Sequence, residues 1–283
     1  MIAVTGATGQ LGLLVITHLL KKTDAKNIIA LVRNLEKAES LKALNVQVRE
    51  ADYSKPETLA TAFNGVEKLL LISSSEVGHR TPQHKNVIDA AKKMNVKLIA
   101  YTSLLHADTS PLALAQEHIE TEDYLKQENI PHVLLRNGWY TENYLVSIAP
   151  SLANGGFIGC AKDGKISSSA REDYAEAAAV VLTSDVPQAG KVYELSGDES
   201  YTLSELCAII SEESGKTIPY INMEEAEFAK SLEGAGLPGS LAAMLADSDS
   251  GASKGGLFDD SHILSNLLGH PTKSLRQLVK SYL

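Results

Sequence analysis

Three glycines lie three residues apart near the start of the chain, at Gly6, Gly9 and Gly12. A strand-like apolar run, residues 2–5, precedes them, and a helix-like run follows. A sharp strand-to-helix turn needs a residue without a Cβ, close approach of a pyrophosphate needs another, and tight helix–strand packing needs a third. The first helical turn also offers unpaired N–H groups to an anion. The pattern predicts a dinucleotide site, with a turn that binds no ligand as the alternative.

Arg33 follows the second predicted strand, where dinucleotide sites that prefer NAD place an Asp or Glu for the ribose 2′-OH. No acidic residue stands at that strand end. A guanidinium matches a 2′-phosphate, which a carboxylate would repel. The sequence therefore favours NADPH over NADH, and a solvated surface arginine is the alternative.

Polar residues also end the third and fourth predicted strands. Asp52 is a candidate acceptor for the adenine amino group and, equally, a candidate N-cap for the next helix. Ser73, Ser74 and Ser75 are small enough to let a cofactor lie close across the sheet edge, although a polar loop explains them nearly as well. Ligands of such sheets bind at the carboxyl ends of the strands, so we expect these residues at one edge.

Short apolar runs alternate with helix-length segments over the first half of the chain. The predicted strands are residues 2–5, 27–32, 46–51, 67–73, 97–103 and 132–136, and the predicted helices are 11–22, 35–44, 56–63, 83–94 and 112–128. Runs without polar alternation suit strands buried on both faces, and the strand–helix repeat predicts a parallel sheet. The fold class is α/β: a doubly wound parallel sheet, the NAD(P)-binding Rossmann fold, with a smaller, mostly helical substrate lobe.

The division expected from this pattern has two parts. A dinucleotide-binding domain takes residues 1–136 and 171–196, and a substrate lobe takes 137–170 and 197–283. Within the lobe, the stretch before residue 171 is predicted as loops with a short hairpin. Residues 247–260 are predicted as a compact loop that interrupts the helices.

Composition excludes several classes of protein. The net charge of -9, with no basic cluster, argues against nucleic-acid binding. No apolar run is long enough to span a bilayer, and residue 2 already belongs to a strand, which leaves no room for a secretory signal. Cys160 and Cys207 have no CxxC partner, so no zinc site or disulfide framework is expected. We expect a cytoplasmic protein without a bound metal.

Several segments together resemble the NmrA-like branch of atypical short-chain dehydrogenases, and within it the flavin-free bacterial NADPH-dependent quinone oxidoreductases. The segments are "TGATGQLG", "LVRN", "ADYS", "LLLISSSEVG", "AYTSLLHADTSPL", "HIETE", "LLRNGWYTENYL" and "GASKGGLFDD". The resemblance implies two-electron reduction of a quinone to a hydroquinone by direct hydride transfer from NADPH. It also implies a small-molecule quinone as the partner. The implied cofactor-lining residues, with Asp52 added from its strand end and Arg171 as a further candidate, are Gly6, Ala7, Thr8, Gly9, Gln10, Leu11, Arg33, Asp52, Ser73, Ser74, Ser75, Asn137, Gly138, Trp139, Tyr140, Thr141, Glu142 and Arg171.

The chain departs from the wider superfamily in one respect. Typical members use Tyr-x-x-x-Lys to move a proton, and no tyrosine here has a lysine four residues on. The corresponding segment holds His118 and Glu122, which share a helix face and form either a proton relay or an ion pair. Ser103 stands where the superfamily's catalytic serine lies. Together with Tyr140 and Asn143, which we expect beside a flat ring, Ser103 and His118 are the candidate catalytic residues.

Two other functions stay open at this point. Some NmrA-like proteins bind a dinucleotide and regulate a protein partner without catalysis, so an NADP(H)-binding redox sensor is the main alternative. Reduction of another carbonyl substrate is weakened by the missing tyrosine–lysine pair, because a ketone becomes an alkoxide that needs a proton donor.

Overall fold

The computed structural model describes residues 1–283 and divides into two compact units. The first unit comprises Met1–Leu104, Gln116–Asn137 and Arg171–Tyr193, and the second comprises Leu105–Ala115, Gly138–Ala170 and Glu194–Leu283. The division predicted from sequence puts residue 137 in the second part and residues 194–196 in the first, the reverse of these units. It also puts residues 105–115 in the first part. They belong to the second unit because Leu112 packs against Gly251 and Gly256, and the Ala113 N–H donates to Asp247 at 2.9 Å. The assignment of a separate role to each unit stays a prediction.

A seven-stranded sheet is the framework of the first unit, apart from the last two residues of its final strand, which belong to the second unit. Its order is β3-β2-β1-β4-β5-β6-β8, and strands β1 to β6 pair in parallel. The strands are β1 (Ile2–Val4), β2 (Ile28–Val32), β3 (Gln47–Glu50), β4 (Lys68–Leu71), β5 (Leu98–Leu104), β6 (His132–Asn137) and β8 (Val192–Leu195). β2 and β5 are buried along their whole length, as the apolar runs predicted. The doubly wound α/β prediction is confirmed, with the order reversing between β1 and β4.

The helices of the first unit pack on this sheet. They are α1 (Gln10–Leu20), α2 (Glu39–Lys42), α3 (Pro56–Ala62), α4 (Arg80–Lys93), α5 (Ala115–Gln127) and α8 (Arg171–Thr183). One predicted helix differs, because residues 35–44 form a 3-10 turn, Leu35–Ala38, followed by the single-turn α2. One layer of the core gathers Phe63, Leu69 and Tyr101, which are fully buried.

The second unit is mostly helical, as predicted. Its helices are α6 (Glu142–Leu145), α7 (Ile148–Asn154), α9 (Leu203–Ser214), α10 (Glu225–Gly234), α11 (Gly239–Ala252), α12 (Ile263–Leu268) and α13 (Leu275–Lys280). α9 and α13 both begin with a capping box, formed by Thr202 with Glu205 and by Ser274 with Gln277. None of the protein's helices combines the length and apolar character needed to cross a bilayer.

Two predictions for the second unit are wrong. The predicted hairpin is absent: β7 (Phe157–Gly159) pairs in parallel with the distant β9 (Tyr220–Asn222). The predicted loop 247–260 is helical in its first part, because α11 continues to Ala252 and buries Ser248 and Asp249. These small and polar residues are typical of a loop, and their helical state comes from tertiary packing that overrides local propensity.

Candidate functional site

The glycine turn connects β1 to α1 as the spacing predicted. Gly6 has a φ of +58°, in the left-handed region that favours glycine, and the Gly9 N–H donates to the Gly6 carbonyl at 2.8 Å. A Cβ on Gly12 would lie 2.4 Å from the Gly6 carbonyl oxygen and 2.8 Å from the Cα of Ala7. Gly9 is the N-cap of α1, and no side chain caps that helix. The first N–H groups of α1 are therefore not capped by a side chain. The backbone of the turn also packs against Gly12 too closely for a residue with a Cβ.

Arg33 lies just beyond the end of β2, and its partner comes from another strand end. Its Nη1 donates to the Glu76 Oε1 at 2.7 Å, and the two side chains are 66% and 42% exposed. The sequence had placed no acid at the end of β2. Glu76 was missed because it follows β4, although β4 shares its carboxyl edge with β1 and β2. The signal available was the acid directly after Ser73–Ser75.

Two buried side chains accept hydrogen bonds from the backbone of Ser73 and Ser74. The Ser73 N–H donates to Thr102 Oγ1 at 2.8 Å, and the Ser74 N–H donates to His84 Nε2 at 2.9 Å. Burial, followed by the nearby Arg80, lowers the pKa of His84 to about 3. The ring is therefore neutral, accepts at Nε2 and donates from Nδ1 to Thr121 Oγ1 at 2.9 Å. This arrangement holds the serine segment in one conformation at the sheet edge.

Asp52 does not cap α3, whose N-cap is Lys55. Its Oδ1 accepts from the Ser54 N–H at 2.9 Å, and its Oδ2 lies 3.7 Å from Lys55 Nζ. The N-cap alternative is therefore wrong, and adenine recognition stays a prediction. The neighbouring Tyr53, which the sequence did not single out, donates to Ile72 O at 2.8 Å. That bond ties the β3 end to the β4 end.

His118 and Glu122 do not pair with each other. Glu122 accepts from Ser103 Oγ at 2.6 Å and binds Arg136 through both carboxylate oxygens, at 3.0 and 2.8 Å. Ser103, Glu122 and Arg136 are all buried. Neither the relay nor the ion pair predicted between His118 and Glu122 forms, and the ion pair that Glu122 makes is with Arg136.

His118 belongs to a separate buried group beneath the serine segment. Its Nε2 faces Arg80 Nη1 at 3.3 Å, and its Nδ1 lies 2.8 Å from Tyr101 Oη. Burial and then Arg80 hold the pKa of His118 well below its ordinary value, so the ring is neutral. Since arginine can only donate, Nε2 accepts and Nδ1 donates to Tyr101. Catalytic roles for Ser103 and His118 stay predictions, against which their burial and complete pairing argue.

Asn137, the last residue of β6, has a buried side chain that is not fully hydrogen-bonded. The residue is buried, and its Oδ1 has no hydrogen-bond partner. A buried acceptor without a partner is costly, and such groups in native structures call for an explanation. A ligand donor would satisfy this oxygen, which agrees with the predicted cofactor contact.

The segment after Asn137 is held as an extended stretch within the second unit. The Trp139 carbonyl accepts from the Ser169 N–H at 3.1 Å, and the Thr141 N–H donates to the Ser169 carbonyl at 2.9 Å. Thr141 Oγ1 also bonds Ser168 Oγ at 2.8 Å. Tyr140 forms the bridge to Ser169 and is half-buried. These bonds fix the backbone of a segment whose sequence predicted only a loop.

A small pocket, with a cavity volume of about 40 Å³, lies inside the second unit. Trp139 and Asn143, both predicted site residues, line it, but the predicted aromatic partner Tyr140 does not. The remaining lining residues are Tyr144, Ser147, Phe157, Ile158, Phe228, Leu232, Leu245 and Asp249. The sequence missed this set because its members come from α6 and the turn after it, from β7, and from α10 and α11, which are far apart in the chain.

Asp249 is the one acid that lines this pocket. Its Oδ1 accepts from Tyr144 Oη at 2.9 Å and its Oδ2 accepts from the Cys160 N–H at 3.1 Å. Burial raises the pKa of Asp249 to about 6, and the two hydrogen bonds offset only part of that effect. The carboxyl is therefore a mixture of acid and carboxylate near neutral pH.

The Asp249 pKa gives a pH dependence of stability with a defined sign. The folded pKa lies above the ordinary 3.8, so its contribution is fully present below pH 4 and is lost as the pH rises through 6. We expect wild type, measured against Asp249→Asn, to lose about 2 kcal/mol of unfolding free energy between pH 4 and 7. Urea unfolding of both proteins at each pH measures the difference. Parallel pH profiles for the two proteins would contradict the assignment.

Comparisons with known proteins decide the family. The model of the NmrA-like family matches residues 1–266. The chain belongs to the NmrA-like family. The family predicted from the sequence is therefore confirmed, and the match covers nearly the full length of the chain.

Individual relatives of this NmrA-like chain are similar over almost all of it. It is 60% identical to quinone oxidoreductase 2 of Escherichia coli, over 99% of this chain and 97% of the relative. A crystal structure of the E. coli NADPH-dependent quinone oxidoreductase QOR2 with NADPH superposes with a TM-score of 0.96 at 59% identity, covering 99% of both chains. The Citrobacter sp. triphenylmethane reductase with NADP(H) gives 0.95 at 41% identity, covering 100% of both chains.

Proposed function

We propose that this protein is an NADPH-dependent quinone oxidoreductase that reduces quinones to hydroquinones by two-electron transfer, without a flavin. The observation that carries the proposal is the 60% identity, over 99% of the chain, to a quinone oxidoreductase whose crystal structure holds NADPH. The glycine turn and the unpartnered Asn137 Oδ1 support it, because they offer a pyrophosphate cradle and a polar contact.

The proposed cofactor-binding residues follow from the edge of the first unit. The glycine turn and the first N–H groups of α1 bind the pyrophosphate, and Arg33 binds the 2′-phosphate. Ser73–Ser75 lie at the same strand edge, where Thr102 and His84 hold the backbone of Ser73 and Ser74. The segment Asn137–Glu142 and Arg171 complete the proposed set. Bound NADPH would supply a hydride to the quinone.

The proposed substrate-side residues orient a flat ring. Trp139 offers an aromatic face, and the amide of Asn143 is a donor for a ring oxygen. Tyr140 lies on the same fixed segment. Orientation of the reacting groups alone can lower a barrier by several kcal/mol.

A dedicated proton donor is not required for this reaction. The product of hydride transfer to a quinone is an aromatic anion whose charge is delocalised, so water can protonate it afterwards. This agrees with the absence of Tyr-x-x-x-Lys and with the burial of His118 and Ser103.

The two-electron character is tested by product stoichiometry. Anaerobic incubation of the protein and NADPH with a naphthoquinone should give one hydroquinone per NADPH oxidised, with no radical signal in electron paramagnetic resonance during the first turnovers, before hydroquinone accumulates. A radical signal that grows in proportion to turnover would contradict two-electron transfer.

Arg33 should determine the choice of cofactor. A charge-assisted phosphate contact contributes roughly 1.5–3 kcal/mol, so Arg33→Ala should weaken NADPH binding about 10- to 100-fold. NADH lacks the 2′-phosphate, and its dissociation constant should hardly change. Calorimetric titration with both cofactors measures this, and equal losses for the two would overturn the assignment.

A further inference from the structure

The partner of Arg33 is itself held in place. Glu76 accepts from Arg33 through Oε1, and its other oxygen, Oε2, accepts from Gln83 Nε2 at 2.7 Å. The Glu76 N–H donates to Ser74 Oγ at 3.1 Å. Gln83 is buried on α4 and donates also to Ser54 Oγ at 3.2 Å. Glu76 is therefore a carboxylate anchored on a buried support, unlike a freely moving surface acid.

This placement sets a carboxylate beside the guanidinium that we assign to the 2′-phosphate. A carboxylate on Arg33 neutralises its charge and occupies a donor that a phosphate would use. A phosphate entering the same position also meets the negative charge of Glu76, and like charges placed together raise the free energy of the complex. A ribose 2′-OH is uncharged and meets neither obstacle.

We propose that Glu76 is a specificity-determining residue, which competes with the 2′-phosphate of NADPH for Arg33 and thereby narrows the preference for NADPH over NADH. The inference rests on the proposed function in so far as NADPH is the cofactor. It adds that two residues at two strand ends set the preference for NADPH over NADH. Arg33 favours NADPH, and Glu76 weakens that preference.

The test is the Glu76→Gln variant, which keeps the size of the side chain and removes the charge. We expect its NADPH dissociation constant to fall about 2- to 10-fold, the range expected when an exposed ion pair and a like-charge contact are removed. The NADH dissociation constant should change by less than about twofold. In an Arg33→Ala background the gain should be clearly smaller than in the wild-type background, because the competition for the arginine is gone and only the like-charge contact between Glu76 and the phosphate remains.

Glu67→Gln is the matched control. Glu67 is also an exposed ion-pair acid, 2.5 Å from Lys97, but it precedes β4 and so lies at the opposite edge of the sheet. The Glu67→Gln substitution makes the same change in net charge as Glu76→Gln and should leave the dissociation constants of NADPH and NADH unchanged.

The outcomes separate this inference from the proposed function. Weaker NADPH binding by Glu76→Gln would show that Glu76 positions Arg33 and would overturn the competition. Equal changes in the NADPH and NADH dissociation constants would also overturn it. So would a gain in NADPH affinity that is just as large in the Arg33→Ala background. Wild-type protein that binds NADPH and turns over no quinone would overturn the reaction and leave the binding test valid. Wild-type protein that binds neither cofactor would overturn both.

Discussion

Gly12→Ala should weaken NADPH binding by roughly 100-fold and lower the free energy of unfolding by about 1–3 kcal/mol. The added Cβ would lie 2.4 Å from the Gly6 carbonyl oxygen and 2.8 Å from the Ala7 Cα. Both atoms belong to the backbone of the turn, so no side-chain rotation relieves the clash. The turn has to open, and the pyrophosphate cradle changes shape with it. Calorimetric titration and urea unfolding measure the two effects.

Gly234→Ala is the control for that variant. Gly234 is also helical, and a Cβ on it meets nothing within 4 Å. Alanine is a better helix former than glycine, so this variant should be unchanged or slightly more stable. Tight NADPH binding by Gly12→Ala would show that the turn tolerates a side chain and would remove the physical basis of the cradle.

Glu122→Ala should destabilise the protein by about 3–5 kcal/mol, the largest stability effect that we expect from a single substitution. Glu122 is 1% exposed, and its removal leaves the buried Arg136 guanidinium without its bidentate partner and Ser103 without its acceptor. Charge buried without compensation is the reason for the size of the effect. Chemical denaturation at neutral pH measures it.

Glu128→Ala provides the comparison for the buried pair. Glu128 forms an exposed ion pair with Lys92 at 2.8 Å, and such pairs contribute about 0–1 kcal/mol. A loss below about 1 kcal/mol in Glu122→Ala, equal to that of Glu128→Ala, would contradict the role of the buried pair as a structural element.

The parallel sheet could be predicted from sequence because its strands are buried on both faces. The fully apolar run Ile28–Val32 and the flanking helical pattern leave few other folds. The pairing of Phe157–Gly159 with Tyr220–Asn222 could not be predicted in the same way. Two three-residue strands, far apart in the chain, carry no periodic pattern, and local turn residues pointed to a hairpin.

The geometry of the glycine turn and the position of Arg33 after β2 could also be predicted, because both depend on local residue type next to a strand end; their roles in cofactor binding stay predictions. Glu76 and Asp249 could not be predicted as site residues, because residues from other elements form their surroundings. Asp249 is an ordinary acid in a polar stretch until burial raises its pKa to about 6. His118 and Glu122 share a helix face as their spacing predicted, but the neighbouring strands supply a different partner to each.

We propose above all that this chain passes electrons from NADPH to a quinone without a flavin. The most direct measurement is the rate of NADPH absorbance loss with purified protein, shown to be flavin-free by its absorption spectrum, with and without a simple benzoquinone. We expect NADPH to be stable with protein alone and to be oxidised when the quinone is added, at a rate proportional to protein concentration. Tight NADPH binding without turnover across benzoquinones and naphthoquinones would contradict the claim and favour a redox sensor.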